Sequence, residues 1–129
     1  MAYAATITKS TTTISGRRTI LIEVAEVEAA ASSEFEIGGL PEICTLISYR
    51  ATRTAGTGTT IAPVGGAATG FSAASQDENF SISAAAHVNE STRVPLRLPA
   101  NKLVIRSTPS NAASDHTIGT LITLVEGAL

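Results

Sequence analysis

Tryptophan is missing from this 129-residue chain, and only two tyrosines and three phenylalanines supply aromatic rings. That argues against an aromatic stacking platform for sugars or single-stranded nucleic acid. Charge is sparse as well. The formal net charge is −2 and no long basic run occurs, which argues against a general nucleic-acid or anionic-membrane binder and leaves protein as the expected partner. The lone cysteine, Cys44, excludes an intrachain disulfide, and its setting in Ile43-Cys44-Thr45-Leu46-Ile47 predicts a small buried hydrophobe. No apolar run approaches membrane-spanning length, and Met1-Ala2-Tyr3-Ala4-Ala5-Thr6 lacks a basic region leading into an apolar segment. The expectation is a soluble chain made in a cytoplasm. Repeats of fixed period are also lacking, which disfavours a solenoid or propeller.

Signatures of chemistry are equally scarce. Gly56-Thr57-Gly58 and the run Gly65 to Gly70 are glycine-rich, but neither carries the lysine and hydroxyl of a phosphate-binding loop, so both read as turns. His87 and Asp115-His116 lack metal-ligand spacing, and solvated loop or sheet-face histidines are the default reading. No nucleophile elbow frames a serine. Asp77-Glu78 lacks the spaced oxygen ligands of a calcium loop, and the two glycosylation tripeptides at Asn79 and Asn89 carry no weight without a signal peptide. The expectation is a protein that is no enzyme and holds no cofactor or metal.

What the chain has is alternation. In Arg93 to Pro99, Val94, Leu96 and Leu98 share one face, while Arg93, Pro95, Arg97 and Pro99 share the other. Prolines at that spacing place the strand at a sheet edge or beside a bulge. Pro99-Ala100-Asn101 reads as a turn, and Lys102 to Arg106 as the returning strand of a hairpin. After the loop Thr108 to Asp115, Thr117 to Val125 is apolar or β-branched on both faces, which predicts a central or covered strand of the same sheet.

Earlier segments follow suit. Residues 1–16 are rich in Ala, Thr and Ser with Ile7 and Ile14 as isolated anchors, and read as an extended arm able to add to a neighbour's sheet edge or as a frayed terminus. In Arg18 to Ala29 the alternation of Ile20, Ile22 and Val24 passes to Ala25, Val27 and Ala29 on the opposite face, which favours a strand with a bulge over a helix from Glu23 to Ala31, since no N-cap precedes the latter. Glu34 to Ile37 and Ile43 to Thr52 read as strands around Gly38-Gly39-Leu40-Pro41, the second with Ile43, Ile47, Tyr49 and Ala51 on one side. A short strand near Thr59 to Val64, a Gly, Ala and Ser-rich loop from Gly65 to Glu78, and a strand from Phe80 to Val88 complete the pass. Roughly eight to nine short strands without a helix predict an all-β fold, an antiparallel two-sheet sandwich or jelly roll over 17–129 preceded by the arm.

Charge is distributed unevenly along this pattern. Glu23, Glu26, Glu28, Glu34, Glu36 and Glu42 follow one another without a basic residue, whereas Arg93, Arg97, Lys102 and Arg106 form a basic group without an acid. On different edges these groups would pair head to tail between subunits and could close a ring; on neighbouring strands they would neutralise each other within one subunit. With Tyr3, Ile7 and Ile14 of the arm, Glu23, Glu26 and Glu28 and the four basic residues are the candidate interface.

The Ala/Thr/Ser-rich arm before Arg17, the Gly38-Gly39-Leu40-Pro41 break, the Gly65 to Glu78 loop and the Val94-Pro95-Leu96-Arg97-Leu98-Pro99 hairpin running into a long C-terminal strand together carry a resemblance. The chain resembles the small β-sandwich virion proteins of tailed bacteriophages, most of all capsid decoration (cement) proteins. The likeness lies in organisation rather than in matched motifs and assigns no residue a role. It implies a homo-oligomer, commonly a trimer, seated on the capsid exterior and stabilising contacts between major capsid protein subunits. A head-fibre base or tail subunit is the alternative within this class, and a small-ligand or glycan-binding β-module the alternative outside it.

Overall fold

Alternating apolar residues make this chain a set of strands, and every element among the described residues is one. The computed structural model describes residues 3–29, 34–55, 61, 63–67, 79–82, 87–107 and 116–128. In chain order the strands are β1 (Ala4–Ile14), β2 (Arg17–Ala29), β3 (Glu34–Ile37), β4 (Ile43–Ala55), β5 (Val64–Ala67), β6 (Phe80–Ser81), β7 (His87–Arg97), β8 (Leu103–Arg106) and β9 (His116–Glu126). They form two antiparallel sheets, a large one ordered β1-β2-β9-β4-β7 and a small one ordered β3-β8-β5-β6. The chain changes sheet at every connection except β1–β2 and β5–β6. The all-β sandwich expected from the alternation is the fold.

The core lies between the sheets. From the large sheet it takes Ile20, Ile22 and Val24 of β2, Ile118, Ile122 and Leu124 of β9, Cys44, Leu46, Tyr49 and Ala51 of β4, and Val88 and Leu96 of β7. From the small sheet come Phe35, Ile37, Leu103, Ile105 and Phe80. Each set recurs at the two-residue period that sends alternate side chains to one face of a strand. Burial raises the Cys44 thiol to about 11, in keeping with the small hydrophobe expected there.

Several expectations need correction. Arg93 to Arg106 is no hairpin, since β7 belongs to the large sheet and β8 to the small one. The turn between them is a corner, with Asn101 in the left-handed region at φ 59°, its N–H bonded to Leu98 O at 2.8 Å, and its Nδ2 donating to Leu40 O at 2.9 Å. Among the described residues the backbone of β7 has β4 as its only ladder partner, and β8, buried along its length, sits between β3 and β5. The edge position read from the prolines is correct, as is the central position of β9.

Phe80 to Val88 is likewise split, because Phe80–Ser81 pairs with β5 in the small sheet while His87 onward pairs with β4. The short strand expected near Thr59 to Val64 lies partly outside the described residues, and the described strand, Val64–Ala67, reaches into what read as the start of a loop. There Gly65 is required by space: a Cβ would sit 2.5 Å from Phe80 Cζ. In β4 a bulge between Leu46 and Ser48 resets the alternation, so Ile43 is exposed and Cys44 and Leu46 are buried. The bulge in β2 falls after Glu26 rather than at Ala25. The turn at 56–58, the loop beyond Ala67 through Glu78, and the segment 108–115 lie outside the described residues.

The expected arm is extended where it is described, but as a strand of its own chain's sheet. β1 pairs with β2 without a break from Ala4↔Val27 to Ile14↔Arg17. Ser15 and Gly16, at φ 54° and 76°, form the two-residue turn whose twist matches a hairpin. Beside that turn, Arg18 Nη2 donates to Glu126 Oε2 of β9 at 2.8 Å, tying the hairpin base to the sheet.

Candidate protein–protein interface

β1 is an edge strand that does little for the core. Of its eleven residues only Ala5 is even half-buried. Just before it, Tyr3 packs on the core and donates its hydroxyl to Glu26 Oε2 at 2.9 Å. Ile7 is 36% exposed and Ile14 65% exposed, on opposite faces of the strand. The ammonium of Lys9 donates to the carbonyls of Gly38 and Gly39 at 2.7 and 3.4 Å.

The acidic candidates separate. Glu23 is exposed on the outer face of the large sheet. Glu26 is wholly buried, a correction to its place in the interface: it continues the inward series Ile20, Ile22, Val24. Burial raises its carboxyl to about 7, partly opposed by the Tyr3 hydrogen bond, and Oε1 meets no donor among the described residues. Burial, then the neighbouring Glu26 carboxylate, raises the Tyr3 phenol far above its ordinary value, so it stays a donor. Buried Tyr49 is raised for the same two reasons, with Ser107 and Thr120 acting against them. Glu28 lies in β2, and its side chain falls outside the described residues.

The basic candidates separate too. Arg106 is 2% exposed and faces Glu34 Oε1 at 3.8 Å, and Lys102 meets Glu36 Oε1 at 2.9 Å. β3 and β8 are hydrogen-bonded neighbours, so for these four residues neutralisation within one subunit is the outcome and Arg106 is withdrawn from the interface. Arg93 and Arg97 remain exposed on the β7 edge, without an ion pair among the described residues. The structure thus brings Tyr3 and Glu26 together, and leaves Ile7 and Ile14 at one end of the large sheet and Arg93 and Arg97 at the other.

A depression of about 510 Å³ opens on the outer face of the large sheet. Ala25 and Gly119 form its floor, Glu23 stands on one wall, and Arg50 and His87 stand on the other. His87 Nδ1 lies 2.6 Å from Thr52 Oγ1. His116, expected in a solvated setting, is instead buried at the start of β9. No group of three His, Cys, Asp or Glu suited to a metal occurs among the described residues. Sequence reasoning missed the groove and the Tyr3–Glu26 bond. The available signals were small residues, Ala25 and Gly119, in strands otherwise rich in large and β-branched side chains, and a glutamate in phase with three buried aliphatics.

Set against known proteins, the chain matches no family model, no curated protein and no solved structure.

Proposed function

We propose that the protein is a structural virion component, in first place a capsid decoration protein that binds the lattice of major capsid protein from outside and stabilises it. The observation that carries this reading is β1, an eleven-residue strand exposed on both faces. Such a strand adds almost nothing to the core of its own subunit, and its surface is available for contacts with other chains. The large sheet as a whole has strands of eleven and thirteen residues, against four or fewer in the small sheet, so it offers more surface than its own core uses. Its outer face, with Thr6, Thr8, Ser10 and Thr12 on β1 and Arg93 and Arg97 at the β7 rim, suits many modest polar contacts. Repeated on a lattice, such contacts gain avidity without a deep pocket or aromatic anchors. A head-fibre base or tail subunit would use the same surfaces.

Mass photometry of shells assembled from the major capsid protein of the same genome tests this reading. Shells mixed with the purified protein gain mass to a saturating, fixed ratio; shells that gain none end the capsid reading. The outer-face groove favours one second reading, a small-ligand module whose ligand would bridge Glu23 and Arg50.

A further inference from the structure

The two ends of the large sheet are built differently. β7 carries Pro95, which has no N–H to offer, with exposed Arg93 and Arg97 on either side, and these are the devices that discourage strand addition. The small sheet ends in β3, four residues with Glu34 and Glu36, and in β6, two residues long. β1 has eleven residues, no proline, no bulge, and one charge, Lys9, whose ammonium is drawn aside to Gly38 O. Its pairing pattern also defines what it offers. In a two-residue hairpin the pair flanking the turn is hydrogen-bonded, so alternation turns the backbone groups of Ala4, Thr6, Thr8, Ser10, Thr12 and Ile14 toward β2. Those of Ala5, Ile7, Lys9, Thr11 and Thr13 point away from the sheet.

We propose that β1 pairs antiparallel with β1 of a second copy about a two-fold axis at Ser10, fusing two large sheets into one. The sequence of β1 is its own complement in that register. Ser10 faces the partner's Ser10, Thr8 faces Thr12, Lys9 faces Thr11, Ile7 faces Thr13 and Thr6 faces Ile14, so β-branched and hydroxyl side chains meet and no charge meets its like. Centring on Lys9 would oppose two ammonium groups. Centring on Thr8 would set Thr11 and Thr12 against Ala5 and Ala4 and carry Ile14, the most exposed large aliphatic among the described residues, past the end of the partner's β1. The outward backbone groups of Ile7, Lys9, Thr11 and Thr13 then gain partners. The assembly closes at two copies, because both ends of the fused sheet are β7 with its proline and arginines.

This association is independent of capsid binding and is tested on the protein alone. Sedimentation of the full chain should give twice the chain mass in a concentration-dependent manner, little changed between low and high salt, unlike a ring held by charge. Thr11→Pro deletes an N–H that points away from β2, and should leave a monomer at concentrations where the parent is dimeric, with Ser10 and Thr12 amides still protected from exchange. Ser10→Cys should cross-link into dimers on oxidation, since opposed residues of a non-hydrogen-bonded pair have Cα atoms about 4.5 Å apart, within disulfide reach. Thr12→Cys, facing Thr8, should not. A monomer at every concentration, a trimer, a Thr11→Pro dimer, or equal cross-linking by the two cysteine variants overturns the proposal.

Discussion

Glu26 concentrates the unusual energetics of the molecule in one side chain. It is buried on the inner face of β2, accepts one hydrogen bond from Tyr3, and holds its proton up to about pH 7, against an ordinary value of 4.5. Because the folded state binds this proton more tightly than the unfolded chain does, the associated stability is full below about 4.5. It is lost as pH rises through 7. A shift of that size corresponds to about 3 kcal/mol above the window. Glu26→Gln keeps an acceptor for Tyr3 and removes the titration, so urea unfolding of the variant should vary less between pH 4.5 and 7 and show higher stability than the parent at pH 8. An unchanged pH slope would show that the proton sits elsewhere. At this scale the sequence was partly legible. Cys44 reads as buried from its apolar neighbours, whereas Glu26 reads as outward because residue type outweighs phase in a pattern reading. Phase prevails here with the Tyr3 hydroxyl, from outside the strand, supplying the buried carboxyl with a donor.

Among the elements, legibility follows how much local chemistry decides. Pro95 places β7 at an edge because a missing N–H is a property of the residue itself. β9 reads as central because both its faces are apolar or β-branched. The bulge in β4 and the division between β6 and β7 are invisible in the sequence, since they depend on which sheet each neighbour joins. A two-residue period is also blind to the difference between a hairpin and a corner: Leu96, Leu98, Leu103 and Ile105 enter one core from two sheets. Gly65 looked like a loop residue for the same reason, as the Phe80 ring that demands it comes from a distant stretch of chain. The edge argument makes a prediction. Pro95→Val restores an N–H on an exposed edge and adds a β-branched residue, so the fold should persist while light scattering on concentration rises above that of the parent. A variant as soluble as the parent would mean that Arg93 and Arg97 alone guard this edge.

For the whole molecule the governing feature is asymmetry between the sheets. The small sheet closes the core, and its Glu34, Glu36, Lys102 and Arg106 neutralise one another across β3 and β8. The large sheet continues past that core into β1 and keeps three members of the two charge groups, Glu23 near one end and Arg93 and Arg97 at the other, on surfaces open to solvent. The charge separation evident along the sequence therefore weakens once the strands are placed, since Glu26 is buried and Glu34 and Glu36 meet Arg106 and Lys102. Such a division suits a protein whose core serves to present surface, and a lattice-bound clamp is the function proposed for it. Differential scanning calorimetry of capsid shells, with and without saturating protein, tests that claim most directly. The account predicts a disruption temperature raised in the saturated shells, whereas an unchanged disruption temperature with the protein melting as a separate, free species would contradict it.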